Sequence, residues 1–175
     1  MLSKNLETAI NKQINAEFWS AYLYLSMSTY AGNRGLPGVA NWFEVQYKEE
    51  LDHANKFIKY MIAKGNKVDL RPIEAVPTTW DSVLNLFEEN LKHEQVVTGL
   101  INDLFALARS EKDFATESLV QWFVDEQVEE EENALNYIDA LKLIGDNGYG
   151  LYSLDKELAT RVYVPLATST TASKA

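Results

Sequence analysis

The chain has 175 residues, 46% hydrophobic and 11% aromatic, the size of one ordinary domain with enough apolar material for a sizeable core. Its formal net charge of −10 argues against nucleic acid or an anionic membrane as partner and suits a small cation. There is no cysteine, which excludes disulfides, thiolate zinc sites, Fe–S clusters and cysteine nucleophiles and is compatible with a reducing cytosol.

The opening segment MLSKNLETAINKQ is polar and amphipathic, unlike a signal peptide, and no stretch approaches the ~20 apolar residues of a membrane span. Ser3 suits the cap of a first helix, whose apolar positions Leu6, Ile10, Ile14, Ala21, Tyr24 and Leu25 recur at threes and fours. It should stop near Gly32-Asn33-Arg34-Gly35. Pro37 suits the first turn of a second helix through Val39, Trp42, Phe43, Gln46, Tyr47, Phe57 and Tyr60, ending at Lys64-Gly65-Asn66.

Residues 66–79 hold two of the four prolines and no sustained period, which predicts a long crossover. A third helix is expected after Thr79, through Leu84, Phe87, Leu91, Ile101, Leu104 and Leu107 toward Ser110. A fourth begins near Asp113 and carries Leu119, Phe123, Ala134, Tyr137, Ile138 and Leu141 to Gly145. Each helix is roughly 40–48 Å long at 1.5 Å per residue. Four of near-equal length form an all-α bundle over residues 3–145, with short links inside each pair and one long crossover between helices two and three. Ser153 is expected to cap a short fifth helix over about 153–164, which Pro165 ends. One domain then spans 1–165, followed by a polar, flexible tail from 166 to 175.

The apolar stripes share one irregularity. They read Ile10, Ile14, Glu17, Ala21, Tyr24; Phe43, Tyr47, Glu50, His53, Phe57; Phe87, Leu91, Glu94, Thr98, Ile101; and Phe123, Gln127, Glu130, Ala134, Tyr137. Each polar interruption lies near the middle of its helix, and midpoints of equal-length helices meet at one level whichever way neighbours run. Glu17, Glu50, His53, Glu94, Gln127 and Glu130 can therefore converge.

A lone acid at the edge of a stripe is ordinary, but four coincident interruptions are not. Two carboxylates 4 Å apart repel by about 4 kcal/mol at an effective dielectric of 20, against a total stability of about 5–15 kcal/mol. Buried acids in that number need protons or a cation. Oxygen ligands with one imidazole suit hard or borderline divalent ions, and two metals bridged by a carboxylate neutralise the cluster best. Glutamates from two helices with Glu-x-x-His from the other two is the pattern of di-iron bundles. Here one such motif is complete, and the fourth helix offers Gln127-x-x-Glu130 instead.

From INAEFWSAYLYLSM through YKEELDHANKF and HEQVV to QWFVDEQVEEEEN, the chain resembles the bacterial non-haem ferritins over nearly its whole length. That resemblance implies a cytoplasmic, hollow shell of twenty-four subunits. Such a shell oxidises Fe(II) with O2 or H2O2 at an intra-subunit di-iron ferroxidase centre and stores a ferric oxyhydroxide mineral. It further implies that Glu17, Glu50 and His53 hold the first iron, that Glu50 bridges, and that Glu94 and Glu130 hold the second. Gln127 matches a glutamine beside that second iron, as a hydrogen-bond partner more than a ligand. Glu49, Glu126, Glu129 and Glu130 match a third iron site, and Glu126 shares a helical face with Glu129 and Glu130. Tyr24 matches a one-electron donor, a role compatible with that of a packed core tyrosine. Trp122 suits packing more than redox tuning, and Glu131 and Glu132 suit a solvated acidic face.

Departures from relatives narrow the expectation. Haem-binding bacterioferritins carry a second Glu-x-x-His and a haem-ligating methionine, whereas Leu51 follows Glu50 here and the methionines are Met1, Met27 and Met61, so no haem is expected. Glu117 matches an acid of the three-fold channel, but Val120 stands where a second acid often does. His93, about 100° around the helix from Glu94, is expected at the surface. Di-iron oxygenases and rubrerythrin-like peroxidases use two full motifs or a cysteine-bound iron, and DNA-protecting miniature ferritins build their site between subunits. A purely helical interaction module with exposed acids is the non-enzymatic alternative, and as a monomer it would separate from a cage by size.

Overall fold

The computed structural model describes residues 1–166 and contains five helices: α1 (Lys4–Asn33), α2 (Pro37–Ala63), α3 (Val83–Ser110), α4 (Phe114–Ile144) and α5 (Gly148–Leu158). Local chemistry explains most of the boundaries. Ser3, Ser82 and Asp113 each accept a hydrogen bond from a backbone N–H in the first turn of the helix that follows. Pro37 opens α2, where its missing N–H costs nothing. Gly35 and Gly65 turn the chain after α1 and α2 at φ of 76° and 71°, a region a Cβ disfavours.

α1 packs most extensively against α2, and α3 against α4. Both pairs are antiparallel hairpins: Gln127 reaches Glu94 near mid-helix, while Arg109 reaches Glu117 where α3 ends and α4 begins. The crossover runs along α1. Asn11 donates to the Lys67 carbonyl and accepts from the Asp69 N–H, Ser26 donates to the Pro77 carbonyl, and the Tyr30 hydroxyl donates to that of Trp80. The segment lengthens by a few residues over expectation, because α3 starts after its cap Ser82 and not directly after Thr79.

The hydrophobic interior is divided in two. One half gathers Met27, Trp42, Phe43, Phe87 and Ile138; the other gathers Ile10, Ile14, Phe57, Met61, Ile101 and Phe123. Phe57 and Phe123 stack with centroids 4.2 Å apart, and truncating such a fully buried ring costs about 3–5 kcal/mol. A polar layer at the bundle's waist separates the halves.

The fifth helix corrects the sequence expectation. It starts at Gly148, capped by Asn147 rather than Ser153, and ends at Leu158. Residues 161–164 are not helical; Val162 and Val164 have weak helix propensity, and Pro165 pushes its predecessor out of the α region. Helix α5 docks through Asp155, whose buried carboxylate accepts from the N–H groups of Gly38 and Val39 at 2.8 and 2.9 Å. This caps α2 from elsewhere in the chain, since Leu36 supplies no side-chain cap. Only glycine fits at position 38: a Cβ there would lie 1.6 Å from the Asp155 carbonyl oxygen. Of the tail expected from 166, residues 167–175 lie outside the described residues.

Candidate metal centre

Glu17 of α1, Glu50 and His53 of α2, Glu94 of α3, and Gln127 and Glu130 of α4 are all buried at the waist. The helical stripes bring them there, as their spacing implies. Glu17, Glu50 and His53 form a triad, each offering a ligand atom within 4.8 Å of the others. His53 Nδ1 stands 3.5 Å from Glu50 Oε2. In this layer two carboxylate oxygens, Glu17 Oε2 and Glu50 Oε2, are buried without a hydrogen-bond partner, as are Gln46 Oε1 beside it and Glu117 Oε2 near the α3–α4 turn. Leaving such groups unmet is costly.

Glu94 and Glu130 complete the layer and are oriented by neutral donors. Gln127 Nε2 donates to Glu94 Oε2 at 3.0 Å and to its backbone oxygen at 3.2 Å, while the Tyr24 hydroxyl donates to Oε1. Gln46 Nε2 donates to Glu130 Oε2 at 2.7 Å. Gln13 Nε2 does the same for Glu17 Oε1 at 2.9 Å. Gln13 and Gln46 were not singled out from sequence as site residues. Both are buried on the site-facing stripe, Gln13 four residues before Glu17 and Gln46 four before Glu50, so a polar residue one turn from a candidate ligand is the signal that finds them.

Electrostatics follow from this packing. Burial, then Glu50, pushes the Glu17 carboxyl well above its ordinary range. Burial pushes Glu50 up to about 8, with the neighbouring Glu17 opposing the rise and Glu130 adding to it. Glu94 rises through burial and Glu130, and Glu130 through burial, with Gln46 opposing. Each acid of the layer therefore favours its protonated form more than an exposed carboxylate does. Oxygen donors in that number with a single imidazole fit hard or borderline divalent ions, and the two orphaned oxygens are the atoms such ions would satisfy.

Tyr24 is fully buried against Phe43. His93 corrects the expectation of a surface residue: it is part-buried between α1 and α3, bonded to Ser20 Oγ at 2.7 Å and packed on Trp19 and Tyr24. Burial pushes its pKa down to about 4, so it is neutral at pH 7. The inward arc of a helix flanked on two sides is wider than its central stripe. Trp122 meets the His53 ring edge-on at 5.5 Å, and Lys56 Nζ lies over the Trp122 ring, 3.0 Å from its centroid. A cavity of about 490 Å³ between α1, α3 and the crossover, lined by Trp19, Arg71 and Leu104, reaches Gln13 and so abuts the residue that orients Glu17.

The expected third-site acids lie beside the waist. Glu49 and Glu126 are part-buried and Glu129 is exposed. Burial raises both Glu49 and Glu126, each of which also repels the other or its acidic neighbours. Glu49 Oε2 accepts from Arg161 at 2.7 Å. Near the α3–α4 turn, Glu117 pairs with Arg109, and Val120 is fully buried.

A helical bundle of two antiparallel pairs with one long crossover and a buried carboxylate–histidine layer at its waist has the architecture of the metal-binding four-helix bundles. Residues 7–144 match the ferritin-like domain family model. The chain is 42% identical over 161 residues to a protein of Bacteroides fragilis strain 638R described as bacterial non-heme ferritin, covering 92% of this chain and all of the relative. It is 40% identical over 163 residues to the same kind of protein from Staphylococcus aureus strain MRSA252, covering 93% and 98% of the two chains. The open-pore ferritin of the archaeon Archaeoglobus fulgidus superposes with a TM-score of 0.92 at 47% identity, covering 93% of this chain and 100% of that one. A closed form of that ferritin, engineered by site-directed mutagenesis, gives 0.92 at 46%, covering 94% and 100%. The chain belongs to the ferritin family.

Proposed function

We propose that the protein stores iron, oxidising Fe(II) at the waist and depositing Fe(III) as an oxyhydroxide mineral inside a shell of its own copies. The observation that carries this reading is the pair of buried, unpartnered oxygens of Glu17 and Glu50 facing His53. Glu17, Glu50 and His53 take one ion, and Glu94 and Glu130 a second, with Glu50 shared. Two Fe(II) yield two electrons, which reduce O2 with two protons to H2O2, or H2O2 with two protons to two waters. Gln127, Gln13 and Gln46 orient carboxylates, and Tyr24, bonded to Glu94, is positioned to give one further electron.

Glu49, Glu126 and Glu129, with Glu130, form an accessory third site. The shell is a twenty-four-subunit homo-oligomer working in the cytoplasm, and residues 1–165 act as one domain. Among the described residues no helix is long and apolar enough to cross a membrane, and a net charge of −10 fits poorly with DNA binding.

Aerobic Fe(II) added to the purified protein should be oxidised rapidly and remain with a large soluble particle on size exclusion. Glu50→Ala with His53→Ala should slow initial oxidation by roughly 100-fold or more, beyond the 10–100-fold typical for loss of a group that only orients a ligand. An unchanged initial rate would move the centre elsewhere.

A further inference from the structure

The segment after α5 folds back along α2 and claims two of its acids. Arg161 donates to Glu49 Oε2 at 2.7 Å. Tyr163 Oη and the Leu166 N–H donate to Asp52 Oδ2 at 2.7 and 3.0 Å. Arg161 does not depend on Glu49 for its position. Its guanidinium lies over the Trp42 ring, 4.8 Å from the centroid, and donates to the Trp42 carbonyl at 3.4 Å. Its backbone is fixed by Asn41 Nδ2, which donates to the carbonyls of Leu158 and Arg161 at 3.2 and 3.0 Å. Asp155 anchors the preceding helix on Gly38 and Val39. A cation is thus delivered to the accessory acids by contacts outside any candidate ligand set.

We infer that Arg161 is a built-in competitor for the third metal ion, holding one oxygen of Glu49 so that the accessory site binds iron more weakly than the waist does. The inference rests on the proposed third site. A divalent cation at Glu49 meets the like charge of the guanidinium already bonded there, so a third ion either displaces Arg161 or binds Glu49 against that repulsion. Either way the accessory ion is the readily exchanged one, and the strap from 159 to 166 sets how readily. At the waist, among the described residues, the side-chain donors to Glu17, Glu94 and Glu130 are neutral amides and a phenol.

Anaerobic calorimetric titration with Fe(II) of the assembled wild type, Arg161→Gln, Arg161→Lys and Glu126→Ala tests this. Arg161→Gln should tighten the third step about tenfold, or reveal one where the wild type has only two, while changing the first two steps less than about twofold; tenfold corresponds to ~1.4 kcal/mol. Arg161→Lys, which keeps the charge, should stay near wild type, and Glu126→Ala should weaken the third step. A third step in the wild type that Arg161→Gln leaves unchanged or weakens, in a variant with wild-type melting temperature and size, overturns the competition while leaving the third site standing. Two ions in both the wild type and Arg161→Gln remove the third site and the competition with it.

Discussion

The waist and its accessory flank use the same residue, glutamate, to opposite ends. At the waist Glu17 and Glu94 are each 1% exposed, and among the described residues the side-chain donors that touch them are neutral. On the flank Glu129 is exposed and Glu49 carries a resident guanidinium. Burial without an internal cation makes a metal ion a requirement of the charged state, whereas water and Arg161 make it optional. On the proposed assignment, a strong site would differ from a weak one by the company each carboxylate keeps more than by the number of carboxylates.

The comparison can be broken most forcefully at the amides. Gln46→Leu removes the donor to Glu130 without adding charge, and metal affinity at the waist should fall about 10–100-fold; an unchanged affinity in a binding titration would show that Glu130 needs no orienting partner.

Acid titration separates the two regions next. Glu50 is raised to about 8 when buried, so the folded metal-free protein binds more protons than the unfolded chain between pH ~4.5 and ~8. Its stabilising contribution is fully present below the ordinary carboxylate range and is lost as pH climbs through about 8. The melting temperature of the metal-free protein should fall over that window, each kcal/mol lost being worth roughly 2–4 °C. Zn(II), a redox-silent occupant, should flatten the slope by replacing protons. A metal-free melting temperature that rises from pH 5 to 8 would contradict the burial account.

Smaller effects are expected away from the waist. Asp155→Ala should cost about 1–2 kcal/mol by uncapping α2, detectable as a lower denaturation midpoint, and should loosen the strap that carries Arg161 while leaving waist affinity intact. Glu129→Ala should change initial oxidation by less than about twofold, because an exposed acid has little desolvation to repay.

Much of this was legible before any coordinates. A polar residue at an apolar stripe position is a period violation visible in one dimension, and Glu17, Glu50, His53, Glu94, Gln127 and Glu130 all declare themselves that way. Equal helix lengths then place them at one level. Gln46 was visible on the stripe yet passed as a core member, since nothing in a one-dimensional pattern says that its amide reaches Glu130, 84 residues away. His93 was misplaced because period locates the centre of a buried arc and not its width. The α5 boundaries failed because Ser153 suits a cap by residue type and Val162 continues the fourfold spacing of Leu154 and Leu158. Arg161 could not be found at all, because its meeting with Glu49 depends on how α5 docks, which Asp155 and Gly38 decide from opposite ends of the chain.

The central claim, that the waist is a paired metal site built from one chain, is met most directly by anaerobic Fe(II) titration of the wild type beside Glu50→Ala, counting tightly bound ions per subunit. Two tight ions in the wild type, with loss of the shared carboxylate weakening both, is the predicted result. Tight binding that survives Glu50→Ala unchanged would contradict it.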